Sequence, residues 1–89
     1  MRYTARRVTI RILYFARTRE LAGASEEDME FPGDGLPLRD VLARIASRHP
    51  ALAPLLGQIR VARNEAFAEL DELAEHGDVV ALIPPVAGG

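Results

Sequence analysis

The chain has 89 residues, 48% hydrophobic and 6% aromatic, with 27% charged and a formal net charge of −2, which supports one small core and leaves no length for a second. So even a charge balance offers little electrostatic pull on nucleic acid, and the lack of cysteine excludes disulfide scaffolds, thiol nucleophiles and thiolate metal sites. No apolar run approaches the roughly 18 residues that span a bilayer, and residues 1–7 carry basic side chains with no apolar stretch behind them, so no membrane contact and a cytoplasmic location are expected.

Taken in chain order, Val8, Ile10, Ile12 and Tyr14 alternate with Thr9, Arg11 and Leu13, a period of two that predicts a first strand. Residues 16–22 predict a short helix stopped by Gly23. Met29 and Phe31 on one side, with Asp28 and Glu30 on the other, predict a second strand pairing back on the first; Ser25 followed by Asp28 also fits a helix cap. Beyond a Pro/Gly loop, Leu38, Val41, Leu42, Ile45 and Ala46 recur at helical spacing. Asp40 in the first turn and Arg48 with His49 in the last suit the helix dipole, and Pro50 ends the helix. Residues 51–56 allow a further turn. Ile59, Val61 and Phe67 flank Asn64, which tolerates the left-handed geometry of a hairpin. The apolar run of residues 79–83 predicts a central strand buried on both faces. Strand, strand, helix and two or three more strands make an α+β fold, a mixed sheet of four to five strands covered by one main helix; a β-grasp satisfies this order. The chain divides into an extension (1–7), the folded domain (8–83) and a C-terminal tail (84–89).

Few side chains are armed for chemistry. His49 and His76 are far apart with no cysteine to join them, so neither a metal site nor catalysis is expected. Glu26, Glu27 and Asp28 are consecutive acids of the kind that usually face solvent. No glycine-rich phosphate loop or serine elbow occurs. The informative segment is Pro84-Pro85-Val86-Ala87-Gly88-Gly89. The prolines cannot extend a sheet and make a stiff stalk, while Gly88 and Gly89 lack the side chains that would bar a narrow channel. The Gly89 carboxylate, ionised and a poor electrophile at neutral pH, needs activation. Adenylation by ATP supplies a leaving group that a sulfur nucleophile can displace. All eleven basic residues are arginine, so no side-chain amine on a second copy can intercept the activated end.

With those residues in view, the chain resembles the small, sulfur-carrying subunit of molybdopterin synthase. The likeness lies in Leu13-Tyr14-Phe15-Ala16, Arg19-Glu20-Leu21, His49-Pro50, Val61-Ala62-Arg63-Asn64-Glu65, Gly77-Asp78-Val79 and the run from Ile83 to Gly89. The resemblance implies a ubiquitin-like β-grasp and no permanently bound cofactor. An adenylyltransferase resembling ubiquitin-activating enzymes would use ATP to form an acyl-adenylate on Gly89, and a persulfide protein would convert it to a thiocarboxylate. The large synthase subunit would accept the tail, pass its sulfur to cyclic pyranopterin monophosphate and assemble with this chain as a heterotetramer. It also implies docking through Phe15, Arg19, Leu82 and Ile83, with Pro84, Pro85, Val86, Ala87 and Gly88 inserting into the partner. Two further readings keep the activation chemistry. One is a β-grasp carrier for thiamine, cysteine or tRNA thiolation, and the other is a ubiquitin-like protein modifier.

Overall fold

The computed structural model describes residues 6–85; Val86, Ala87, Gly88 and Gly89, expected to insert into a partner and to carry the reacting end, fall outside the described residues. Strand β1 (Arg7–Tyr14) buries Val8, Ile10, Ile12 and Tyr14 and alternates as its sequence dictates. Helix α1 (Ala16–Ala22) follows at once. Its Thr18, fully buried, accepts from the Phe15 N–H (2.9 Å) and donates to the Phe15 carbonyl (2.7 Å), and Gly23 closes it at φ +75°. Strand β2 (Glu26–Pro32) pairs antiparallel with β1, placing Met29 opposite Ile10 and Phe31 opposite Val8 on the buried side. The helix cap that Ser25 and Asp28 allowed is therefore not formed.

Helix α2 (Leu38–Arg48) buries Leu38, Val41, Leu42 and Ile45 against the sheet. No side chain caps its start. Instead the Leu38 and Arg39 N–H groups donate to the carbonyls of Glu72 (2.9 Å) and Leu70 (3.0 Å), satisfying two of the donors that a helix start leaves open. A short ladder of β3 (Leu36–Pro37) and β6 (Leu73–Ala74) holds that loop in place. A 3₁₀ helix (Pro50–Gln58) carries Leu52 into the core. Strands β4 (Arg60–Arg63) and β5 (Ala66–Ala68) form a hairpin whose turn residues, Asn64 and Glu65, both have positive φ (+52° and +73°).

Strand β7 (Val79–Ile83) runs parallel to β1 and antiparallel to β4, giving the order β2-β1-β7-β4-β5, the mixed five-stranded sheet of a ubiquitin-like β-grasp. Backbone and ring together extend the β1/β7 ladder: the Thr9 N–H donates to His76 Nδ1 (3.0 Å) and the Gly77 N–H to the Thr9 carbonyl (3.0 Å). One expectation is corrected here. The run of residues 79–83 is not buried on both faces; Val80 and Leu82 are fully buried, whereas Val79, Ala81 and Ile83 are only partly so. The core lies on the α2 side of the sheet, and among the described residues no element covers the opposite, outer face.

Candidate functional site

The outer face is built by register. Leu13 of β1 stands beside Ala81 of β7, Ala81 beside Ala62 of β4, and Ala62 beside Phe67 of β5. Directly paired residues project to the same face, so these four form one row across four strands. The two alanines keep the floor of that row low, while Phe15 and Phe67, 47% and 59% exposed, rise at its sides. The result is a groove of about 580 Å³, lined also by Val79, Ile83, Asn64 and Glu65. Its apolar lining on an exposed face is the form of an interface rather than of a catalytic cleft. Ile83 leads directly to Pro84 and Pro85, so the groove lies at the root of the tail.

A network centred on the buried Asp78 fixes the groove's hairpin end. Asp78 accepts from Arg63 Nε (2.7 Å), from Asn64 Nδ2 (3.0 Å) and from the Glu75 N–H (2.7 Å). Asn64 Oδ1 in turn accepts from the Val79 N–H (2.9 Å), tying the turn to the start of β7. Burial pushes the Asp78 carboxyl up, but the bonds from Arg63, Asn64 and the backbone outweigh it and hold the group below the ordinary carboxylate range. A second network lies on the α2 side of the sheet. Glu27 accepts from the Tyr14 hydroxyl (2.5 Å), His49 Nε2 (2.5 Å) and Arg48 (3.1 Å). Because an ionised carboxylate only accepts, His49 must present Nε2–H to it. Burial opposes the charge of Glu27, yet these three donors leave its carboxyl below the ordinary range; burial and the same bond push the Tyr14 hydroxyl up. Both histidines are thus engaged in holding the fold.

Of the residues singled out for docking, Phe15 and Ile83 line the groove, and Arg19 is exposed on α1. Leu82 is a correction: it is fully buried on the α2 side, because it alternates with Ala81 and Ile83, and it presents no surface to a partner. Phe67, which the sequence reading did not single out, is an exposed wall of the same groove. Its signal was available in the hairpin itself, since a turn at Asn64-Glu65 places Phe67 opposite Ala62 on the uncovered face. Glu26 and Asp28 pair with Arg11 on the exposed sheet surface, at 3.6 and 3.0 Å. Among the described residues, no three His, Cys, Asp or Glu side chains gather as metal ligands, and no helix is long and apolar enough to cross a membrane.

The model of the ThiS family matches residues 12–89. A molybdopterin synthase sulfur carrier subunit from Chlamydomonas reinhardtii is 42% identical, the match covering 90% of this chain and 98% of the relative. Among solved structures, the Pyrococcus furiosus protein assigned as molybdopterin converting factor subunit 1 superposes with a TM-score of 0.82 at 34% identity, covering 89% of this chain and 99% of that one. Small archaeal modifier protein SAMP1 from Haloferax volcanii gives 0.81 at 34% identity, over 91% and 99%. A complex of subunits 1 and 2 of molybdopterin-converting factor from Helicobacter pylori gives 0.63 at 25% identity, over 92% and 100%.

Proposed function

Because the chain belongs to the ThiS family, we propose that it is the sulfur carrier subunit of a molybdopterin synthase and acts in molybdenum cofactor biosynthesis. The observation that carries this reading is the near end-to-end match to a curated carrier of that name, with the family match running through Gly89. In the proposed cycle an activating enzyme joins the Gly89 carboxylate to AMP, releasing pyrophosphate. A persulfide sulfur displaces AMP, and a second thiol reduces the resulting acyl disulfide to leave a thiocarboxylate on Gly89. The large subunit receives the loaded tail, and the sulfur passes to cyclic pyranopterin monophosphate, two transfers building each dithiolene. The solved complex of subunits 1 and 2 from Helicobacter pylori supports a large-subunit partner. The groove beside Ile83 supplies a surface on which that partner can hold the tail's root.

In this scheme the chain contributes the terminal atom and the docking face, and no side chain performs catalysis. Its site of action is the cytoplasm, where ATP and persulfide donors are at hand. The test is the intact mass of the chain after incubation with a cognate adenylyltransferase, ATP and a persulfide source, then with the large subunit and cyclic pyranopterin monophosphate. The expected result is a mass gain equal to the difference between sulfur and oxygen, lost as molybdopterin forms. A gain that persists would reassign the carrier to another thiolation route. Appearance of the chain on larger proteins through Gly89 would favour the modifier reading, to which the likeness to the archaeal modifier lends its weight.

A further inference from the structure

The charges around the groove are not all used by the fold. Arg11 is paired with Asp28 and Glu26, and Arg63 with Asp78, Glu72 and Glu75. Arg60 and Glu65 differ: among the described residues neither has an oppositely charged side chain within 4.0 Å. Both are exposed, Arg60 at the start of β4 and Glu65 in the turn that follows that strand. Arg60 is opposite Ile83 in register, so it projects on the outer face at the tail's root. Its guanidinium sits 3.9 Å from the centroid of Phe67, the aromatic wall of the groove, which holds the charge in place without neutralising it. Glu65 lines the far end of the groove, at the turn. It holds φ +73° in a position where glycine is the unstrained choice, so the fold alone does not explain a glutamate there.

We infer that the groove is polarised, and that the large subunit enters it with an apolar segment carrying a carboxylate over Arg60 and a basic side chain over Glu65. This rests on the carrier reading and adds to it the chemistry of the partner's docking segment and its direction. An apolar trough alone accepts a segment in either sense. A cation at the tail's root and an anion at the turn make one sense favourable and the reverse repulsive. Fixing the sense fixes where the tail points when it leaves Pro85.

The experiment measures affinity of the full chain for its cognate large subunit by calorimetry, for the wild type and for Arg60→Glu, Arg60→Lys, Glu65→Arg and Glu65→Gly, at about 50 mM and about 500 mM salt. Arg60→Glu and Glu65→Arg shift the net charge in opposite directions, yet both should weaken binding about three- to tenfold at low salt, with most of the loss gone at high salt. Arg60→Lys should retain most of the affinity. Glu65→Gly should weaken binding while raising the Tm by about 3 to 6 °C, since it relieves the turn; that pairing separates docking from folding. Either charge reversal binding like the wild type overturns the inference. So does an effect that follows net charge alone, one variant weaker and the other tighter. So does a change confined to self-association in sedimentation, which would make the occupant a second copy. A wild-type chain that takes up no sulfur and has no affinity for the large subunit would instead remove the carrier reading beneath it.

Discussion

Asp78 illustrates how much a single side chain can fix in so small a domain. Three donors converge on its carboxylate, two of them from the hairpin that forms one end of the groove. Replacing it with asparagine keeps the shape but removes the charge that Arg63 meets at 2.7 Å, and should cost about 1–3 kcal/mol. Thermal melting would show this, and an unchanged Tm would mean that Arg63 finds Glu72 or Glu75 as readily. Tyr14→Phe removes only the hydroxyl that donates to Glu27, and should cost about 1 kcal/mol by the same measurement. Asn64 and Asp78 were visible in the sequence as turn residues. Their mutual bond was not, because it joins positions that only the pairing of β4 with β7 brings together.

Strand β7 has a different role on each of its faces. Val80 and Leu82 hold α2, while Ala81, between them, forms the groove floor. Val80→Asp should therefore unfold the domain, because it buries a carboxylate beside Ile12 while the cation opposite it, Arg63, is already held by Asp78. Circular dichroism decides it, and a folded variant would contradict the assignment of that face. Ala81→Leu acts on the other face. It should leave the melting curve close to the wild type while filling the floor between Leu13 and Ala62, and so lower affinity for the large subunit at least tenfold. Binding at full strength would show that the groove is not the docking surface. The elements themselves were readable wherever they carried a period: β1 and β2 by alternation, α2 by its helical spacing. The β3/β6 ladder escaped because two residues display no period, and it forms only where the start of α2 needs partners for its N–H groups.

For the whole molecule, acid is the informative variable. The Asp78 and Glu27 carboxyls both lie below their ordinary range in the folded state and return to about 4 when the chain unfolds. The unfolded state then binds more protons near that pH. The stability these groups contribute is fully present above about pH 4.5 and is lost as pH falls through their folded values. The Tm should hold steady from about pH 7 to 5 and fall steeply below about pH 4, with a shallower fall in Asp78→Asn; a flat profile for the wild type would contradict the two networks. Removing Gly89 should leave the Tm unchanged and abolish sulfur loading under the proposed cycle, as the mass measurement would report. Full loading of the shortened chain would sink that cycle.

What the sequence determined by itself was the elements long enough to carry a pattern, the core stripe of α2, the buried side of β1 and a C-terminal end whose composition suits insertion and activation. These are local facts, legible because backbone geometry repeats every two or 3.6 residues. Only the tertiary structure decided which face of the sheet α2 covers and which it leaves open. A run such as Val79-Val80-Ala81-Leu82-Ile83 is apolar on both sides and carries no phase, so Leu82 and Ile83 read alike until the helix packs against one of them. The same packing turned Phe67 into a groove wall and set Arg60 beside the root of the tail. Such pairings join strands distant in the chain, and their register is a property of the folded sheet.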